Sequence, residues 1–119
     1  MKIREISELL DAVLLTGEEH LDCEVASACC SDMMSDVLAY VKDQGVLITG
    51  LVNSQVIRTA NMMDMICIVF VRGKKPTEEM IELAAECGIV LMRTEKRAFE
   101  ASGILYTAGL SRSAEEPHV

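Results

Sequence analysis

The spacing of apolar and polar positions changes several times along this chain, and each change predicts an element. Ile3, Ile6, Leu9 and Leu10 recur at helical spacing, so residues 3–11 read as a short amphipathic helix. Residues 12–16 read as a strand and Gly17-Glu18-Glu19-His20 as a turn. Residues 23–30 carry small and β-branched side chains and read as a second strand. Ser31 or Asp32 then stands where a helix cap is needed. The helix it would cap has the stripe Met33, Met34, Val37, Leu38 and Val41, with Gly45 as its left-handed stop.

Three strand–helix repeats follow, over residues 46–64, 66–87 and 89–108. The strands are apolar runs at 46–52, 66–71 and 89–92. Asn53 or Ser54 caps the helix bearing Val56, Ile57, Ala60 and Met63. Thr77 caps the helix bearing Met80, Ile81, Leu83 and Ala84, and Gly88 ends it. Glu78 and Glu79 suit the positive end of its dipole. Phe99, Ile104, Leu105 and Ala108 belong to a last helix, with an interruption expected near Ser102-Gly103.

Unbroken apolar strands alternating with helices imply parallel pairing through right-handed crossovers. The expected fold class is α/β, a three-layer α/β/α sandwich with a mostly parallel central sheet. Residues 1–110 are expected to form one domain and residues 111–119 a flexible polar tail. At 119 residues such a domain buries roughly two-thirds of its unfolded surface. Only 3% of residues are aromatic, so the core must come from Ile, Leu, Val, Ala and Met.

A net charge of −8 argues against a nucleic-acid partner, which calls for a basic face. The basic residues Arg72, Lys74, Lys75, Arg93, Lys96 and Arg97 nevertheless gather in the second half. Lys2, Arg4, Glu5 and Glu8 stand where a signal peptide would be apolar, and no stretch approaches the ~18–20 apolar residues that span a bilayer. The expectation is a cytoplasmic protein with five reduced thiols and no membrane partner.

The charge matters most where the run Ile66-Cys67-Ile68-Val69-Phe70-Val71 gives way to Arg72-Gly73-Lys74-Lys75-Pro76. In a parallel sheet this loop lies at the carboxyl edge, where ligands bind. Loop N–H groups, basic side chains and the helix N-terminus near Thr77 would together grip an anion. Gly50, Asn53 and Ser54 end the preceding strand, and Arg93 and Thr94 the next. The candidate ligand site is therefore Gly50, Asn53, Ser54, Arg72, Gly73, Lys74, Lys75, Arg93 and Thr94, with Arg58 one turn into its helix.

Catalytic signatures are missing. There is no G-x-x-x-x-G-K-[ST], no G-x-G-x-x-G and no C-x-x-C. Cys29 and Cys30 would point to opposite faces of a strand, which disfavours a shared metal. Asp32 and Asp36, four apart on one helix face, could hold Mg²⁺, but capping and solvation explain them more simply. Neither His20 nor His118 has a predictable orienting carboxylate for a triad. No cofactor, metal or catalytic residue is expected. A small phosphotransferase using Arg72, Lys74 and Arg93 is the enzymatic alternative.

Several phrases also resemble one family. They are Leu15-Thr16-Gly17-Glu18-Glu19, Ser31-Asp32-Met33-Met34-Ser35-Asp36-Val37-Leu38 and Leu47-Ile48-Thr49-Gly50. Ile68-Val69-Phe70-Val71-Arg72-Gly73-Lys74-Lys75-Pro76, Gly88-Ile89-Val90-Leu91-Met92-Arg93-Thr94 and Phe99-Glu100-Ala101-Ser102-Gly103-Ile104-Leu105-Tyr106 complete the set. Over residues 1–110 the chain resembles the DRTGG domain family, found in HPr kinase/phosphorylase, long phosphotransacetylases and CBS-domain pyrophosphatases. It departs from the namesake: Leu51-Val52-Asn53 stands for Asp-Arg, and Val71-Arg72-Gly73 for Thr-Gly-Gly.

The resemblance implies an HPr kinase N-terminal-domain-like fold. It also implies a non-catalytic regulatory or sensing role, with a nucleotide-like anion as the ligand class. A homodimer is expected, with Met33, Met34, Val37 and Tyr40 as its surface or that of a protein partner. Small stand-alone members encoded near iron-hydrogenase and redox-partner genes suggest an adaptor in a redox complex as the alternative.

Overall fold

Four apolar segments pair side by side, and their register fixes everything around them. The computed structural model describes residues 1–40 and 45–110, with the backbone alone at Ala39 and Tyr40. The helices are α1 (Ile3–Leu10), α2 (Met34–Tyr40), α3 (Ser54–Met62), α4 (Glu78–Cys87) and α5 (Ala98–Thr107). The strands are β1 (Val13–Thr16), β2 (Ala28–Cys30), β3 (Val46–Thr49), β4 (Cys67–Phe70) and β5 (Val90–Arg93). They form one sheet in the order β1-β5-β4-β3-β2, with β1 antiparallel to β5 and the other pairs parallel.

Successive strand residues alternate between two cores, as the pleat requires. Cys67 and Val69 of β4 join Val46, Ile48, Val90 and Met92 on the face covered by α1 and α5. Ile68 and Phe70 join Leu47 and Leu91 on the face covered by α2, α3 and α4. Both faces are therefore dry, which is why β3 and β4 read as continuous apolar runs. This is the expected three-layer α/β/α sandwich. No helix among the described residues is long and apolar enough to cross a membrane.

Local signals set the helix boundaries. The Asn53 side chain accepts from the N–H groups of Gln55 and Val56 at 2.9 and 3.3 Å, capping α3. Thr77 Oγ1 accepts from Met80 N at 3.2 Å, capping α4. Gly88, with φ +72°, closes α4 in the left-handed conformation that glycine tolerates best.

Three expectations need correcting. The strand expected over 23–30 shrinks to Ala28–Cys30, because the preceding segment turns to the N-terminus instead. The carbonyls of Leu21 and Cys23 accept from Arg4 N and Ile3 N, satisfying orphan donors at the start of α1. Gly45 is needed for close approach: a Cβ there would lie 2.7 Å from both the carbonyl and the hydroxyl oxygen of Ser27. Helix α5 runs unbroken through Ser102-Gly103, with Gly103 on its solvent side. Val41, expected in α2, and the tail 111–119 lie outside the described residues.

Candidate functional site

Register places the ends of the parallel strands in one row. Thr49 pairs with Phe70, and Phe70 with Arg93. The loops that leave this row carry seven of the nine candidate ligand residues on consecutive turns, and Arg93 ends β5 itself. Ser54 is the first residue of α3, just past its Asn53 cap.

The loop after β4 is a rigid left-handed turn. Arg72 and Gly73 have φ values of +59° and +66°. Arg72 N donates to Lys96 O and Gly73 N to Thr94 O, both at 2.8 Å, and Lys74 N donates to Val71 O at 3.2 Å. The positive φ favours glycine at position 73, and a Cβ there would also push the exposed Glu95 carboxylate aside, its oxygens lying 2.7 Å away. These bonds correct the expected backbone grip on an anion, because the three N–H groups are already used within the chain. The α4 N-terminus is likewise occupied by the Thr77 hydroxyl and carries Glu78 and Glu79. Recognition of an anion here falls to side chains.

A neighbouring carboxylate organises the second loop. Asp32 Oδ1 accepts from Thr49 Oγ1 at 2.9 Å and from Gly50 N at 2.8 Å. Thr49 Oγ1 in turn accepts from Leu51 N at 3.1 Å. The Gly50 amide, then the Thr49 hydroxyl and the nearby Arg72 charge, hold the Asp32 carboxyl below its ordinary range against the opposing effect of burial. Arg72 lays its guanidinium over Gly50, where a Cβ would collide with Nη2. Asp32 therefore ties the loops after β2 and β3 together and brings negative charge close to Arg72.

The sequence alone reads Asp32 as a helix cap on a solvated face and does not reveal this role. Helix α2 begins only at Met34, and Asp32 precedes it. Ser31 makes the local turn instead, its Oγ accepting from Met33 N at 3.0 Å. The signal was the position of Asp32 after an apolar strand, the same logic that selected Gly50 and Arg72.

The remaining candidates divide by availability. Thr94 is buried; its hydroxyl donates to Leu10 O at 2.7 Å and accepts from Lys96 N at 3.2 Å. It fastens the edge to α1. Asn53 spends its side-chain oxygen on the α3 cap. Arg93 is half-buried and pairs with Glu95 at 3.2 Å. Among the described residues, Arg72, Lys74 and Lys75 are exposed and form no ion pair within 4.0 Å. The net positive character of the edge rests on these three.

Elsewhere the chemistry is muted. No group of three metal-ligating side chains occurs among the described residues. Cys67 is fully buried, and burial pushes its thiol up and away from reactivity. Of the expected interface set, Met33 is exposed, Met34 packs partly against the core and Val37 is fully buried inside the chain. The Tyr40 side chain lies outside the described residues.

A three-layer α/β/α frame whose carboxyl edge carries exposed cations defines the class: a small α/β domain with a mostly parallel sheet. Residues 5–108 match the DRTGG domain, and the chain belongs to that family. The structure is similar to a solved one, the CBS and DRTGG domains of the regulatory region of Clostridium perfringens pyrophosphatase, complexed with the activator diadenosine tetraphosphate. The TM-score is 0.75 at 17% identity, covering 96% of this chain and 51% of that one. The chain thus spans about half the length of that structure. No curated protein sequence matches significantly.

Proposed function

We propose that this chain is a non-catalytic regulatory module that senses a nucleotide-like anion at the carboxyl edge of its sheet. The observation that carries the reading is the unpaired trio Arg72, Lys74 and Lys75 on a turn whose backbone is fixed by Thr94 and Lys96. Three exposed cations with no ion pair within 4.0 Å among the described residues, of which only Arg72 feels the nearby Asp32 charge, gather positive charge that attracts polyanions in a chain of net charge −8. The pyrophosphatase regulatory region, which was solved with a dinucleoside tetraphosphate activator, supports nucleotides as the class to test.

The mechanism follows from Asp32. A phosphate drawn to Arg72 competes with the Asp32 carboxylate for that charge. Asp32 immediately precedes α2, so loosening its hold on Thr49 and Gly50 shifts the helix entry. Occupancy at the edge is thereby relayed to the outward side of α2. Met33, 61% exposed, favours a second reading in which that surface docks a protein partner, as in an adaptor.

Titration with ATP, ADP, diadenosine tetraphosphate and inorganic phosphate, followed through the amide signals of Gly50, Gly73 and Lys74, tests the site. A saturable shift confined to these loops is expected for at least one nucleotide. Unmoved signals across the panel would leave the adaptor reading in its place.

A further inference from the structure

The outward face of helix α5 carries two large exposed rings. Phe99 and Tyr106 are 93% and 74% exposed, although the chain has only four Phe and Tyr residues in all. They stand seven residues apart, on one side of the helix, with Gly103 between them. Ala101 and Leu105 fill the opposite, buried side. Exposed apolar side chains grouped on one face mark an interaction site.

Among the described residues nothing requires glycine at position 103. Its φ is not left-handed, and a Cβ there would meet nothing within 4 Å. Glycine in a helix interior is destabilising, so open space should favour any other residue. A glycine between two exposed rings makes sense where another backbone must come close.

We infer that this face pairs with α5 of a second copy of the chain. Charge selects that occupant. Across α4, a second copy would meet the exposed carboxylates of Glu78, Glu79, Glu82 and Glu86, a costly approach between two molecules of net charge −8. Within α5 the only charge is Glu100, and Lys96 lies 3.9 Å from it. This neutral face is the one that two acidic copies can bring together, whereas a basic partner would be drawn to α4.

The pattern is also self-complementary, as a two-fold contact requires. Phe99 lies four residues before Gly103 and Tyr106 three after. An antiparallel crossing at Gly103 therefore sets each Phe99 beside the Tyr106 of the other copy. The shoulder of the face is unfinished too. A cavity of about 110 Å³ beside β2 is lined by Cys30, Ser102 and Tyr106, and the buried Ser102 Oγ has no hydrogen-bond partner among the described residues.

Sedimentation equilibrium of the full chain, from micromolar to near-millimolar concentration, tests the pairing. A reversible dimer is expected. Phe99→Glu should weaken it by about tenfold or more, because an aromatic anchor is lost and a charge is buried. Gly103→Leu should abolish it while circular dichroism shows an unchanged fold. Met33→Glu, just before α2, should leave the dimer intact. A chain that stays monomeric throughout, or a dimer that survives both α5 substitutions, overturns the inference. A dimer lost only in Met33→Glu would overturn it in favour of α2.

Discussion

All four residues of β4, Cys67 to Phe70, are fully buried, whereas two positions later Arg72 stands in solvent with a left-handed backbone. The strand is held by apolar contact on both faces, which is strong and tolerant of chemical detail. The turn is held by a handful of directed hydrogen bonds to residues 94 and 96 and by the steric demand at Gly73. A buried strand thus provides a fixed base, and the turn built on it holds three cations in solvent with no ion pair within 4.0 Å among the described residues. Stability resides in the first region, and the capacity to recognise a ligand in the second.

Substitutions should separate the two regions, beginning with the strand. Phe70→Ala should cost about 3–5 kcal/mol in denaturant unfolding, since it opens a cavity at the centre of the sheet. A loss below ~1 kcal/mol would mean that the strand is not the base described. Gly73→Ala should cost about 1–2 kcal/mol, because a Cβ at φ +66° is strained and also crowds the Glu95 carboxylate. Equal stability in the same unfolding experiment would show that the turn adapts freely.

Asp32→Asn probes the tie between loops and should have a smaller effect, about 0.5–1.5 kcal/mol at neutral pH. Its diagnostic is the pH profile. The folded carboxyl is held below its ordinary range, so its contribution is complete above the unfolded value near pH ~4. It is lost as pH falls through the lower folded value. The stability difference between the native chain and the variant should therefore narrow on acidification below about pH 4. A difference constant from pH 7 to pH 2 would contradict the Asp32 geometry. Lys74→Ala and Lys75→Ala should change stability least, within about 0.5 kcal/mol, because both side chains are exposed and unpaired.

The same contrast explains what could be read from the chain alone. Apolar runs marked β3, β4 and β5 because both faces are dry, and Asn53, Thr77 and Gly88 marked helix ends because their chemistry is local. Long-range pairing was hidden. Residues 21–25 turn from the sheet to the N-terminus, which shortened β2, and nothing nearby in sequence announces that. Thr94 looked like a ligand residue until its hydroxyl was found on Leu10, 84 positions away. The N–H groups of Arg72 and Gly73 looked free because their acceptors lie more than twenty residues further on. Asp32 was assigned to a helix although its partners sit on the next strand. At this edge the residue types were legible, while their hydrogen-bond commitments depend on register.

The central claim is that unpaired side-chain cations after β4 bind a nucleotide-like anion. The most direct test is thermal unfolding of the native chain and of the double substitution Lys74→Glu, Lys75→Glu, each with and without millimolar diadenosine tetraphosphate or ATP. The account predicts closely similar melting temperatures without ligand. It predicts a concentration-dependent rise with nucleotide in the native chain alone, as binding to the folded state requires. An equal rise in both proteins, or none in either, would contradict it.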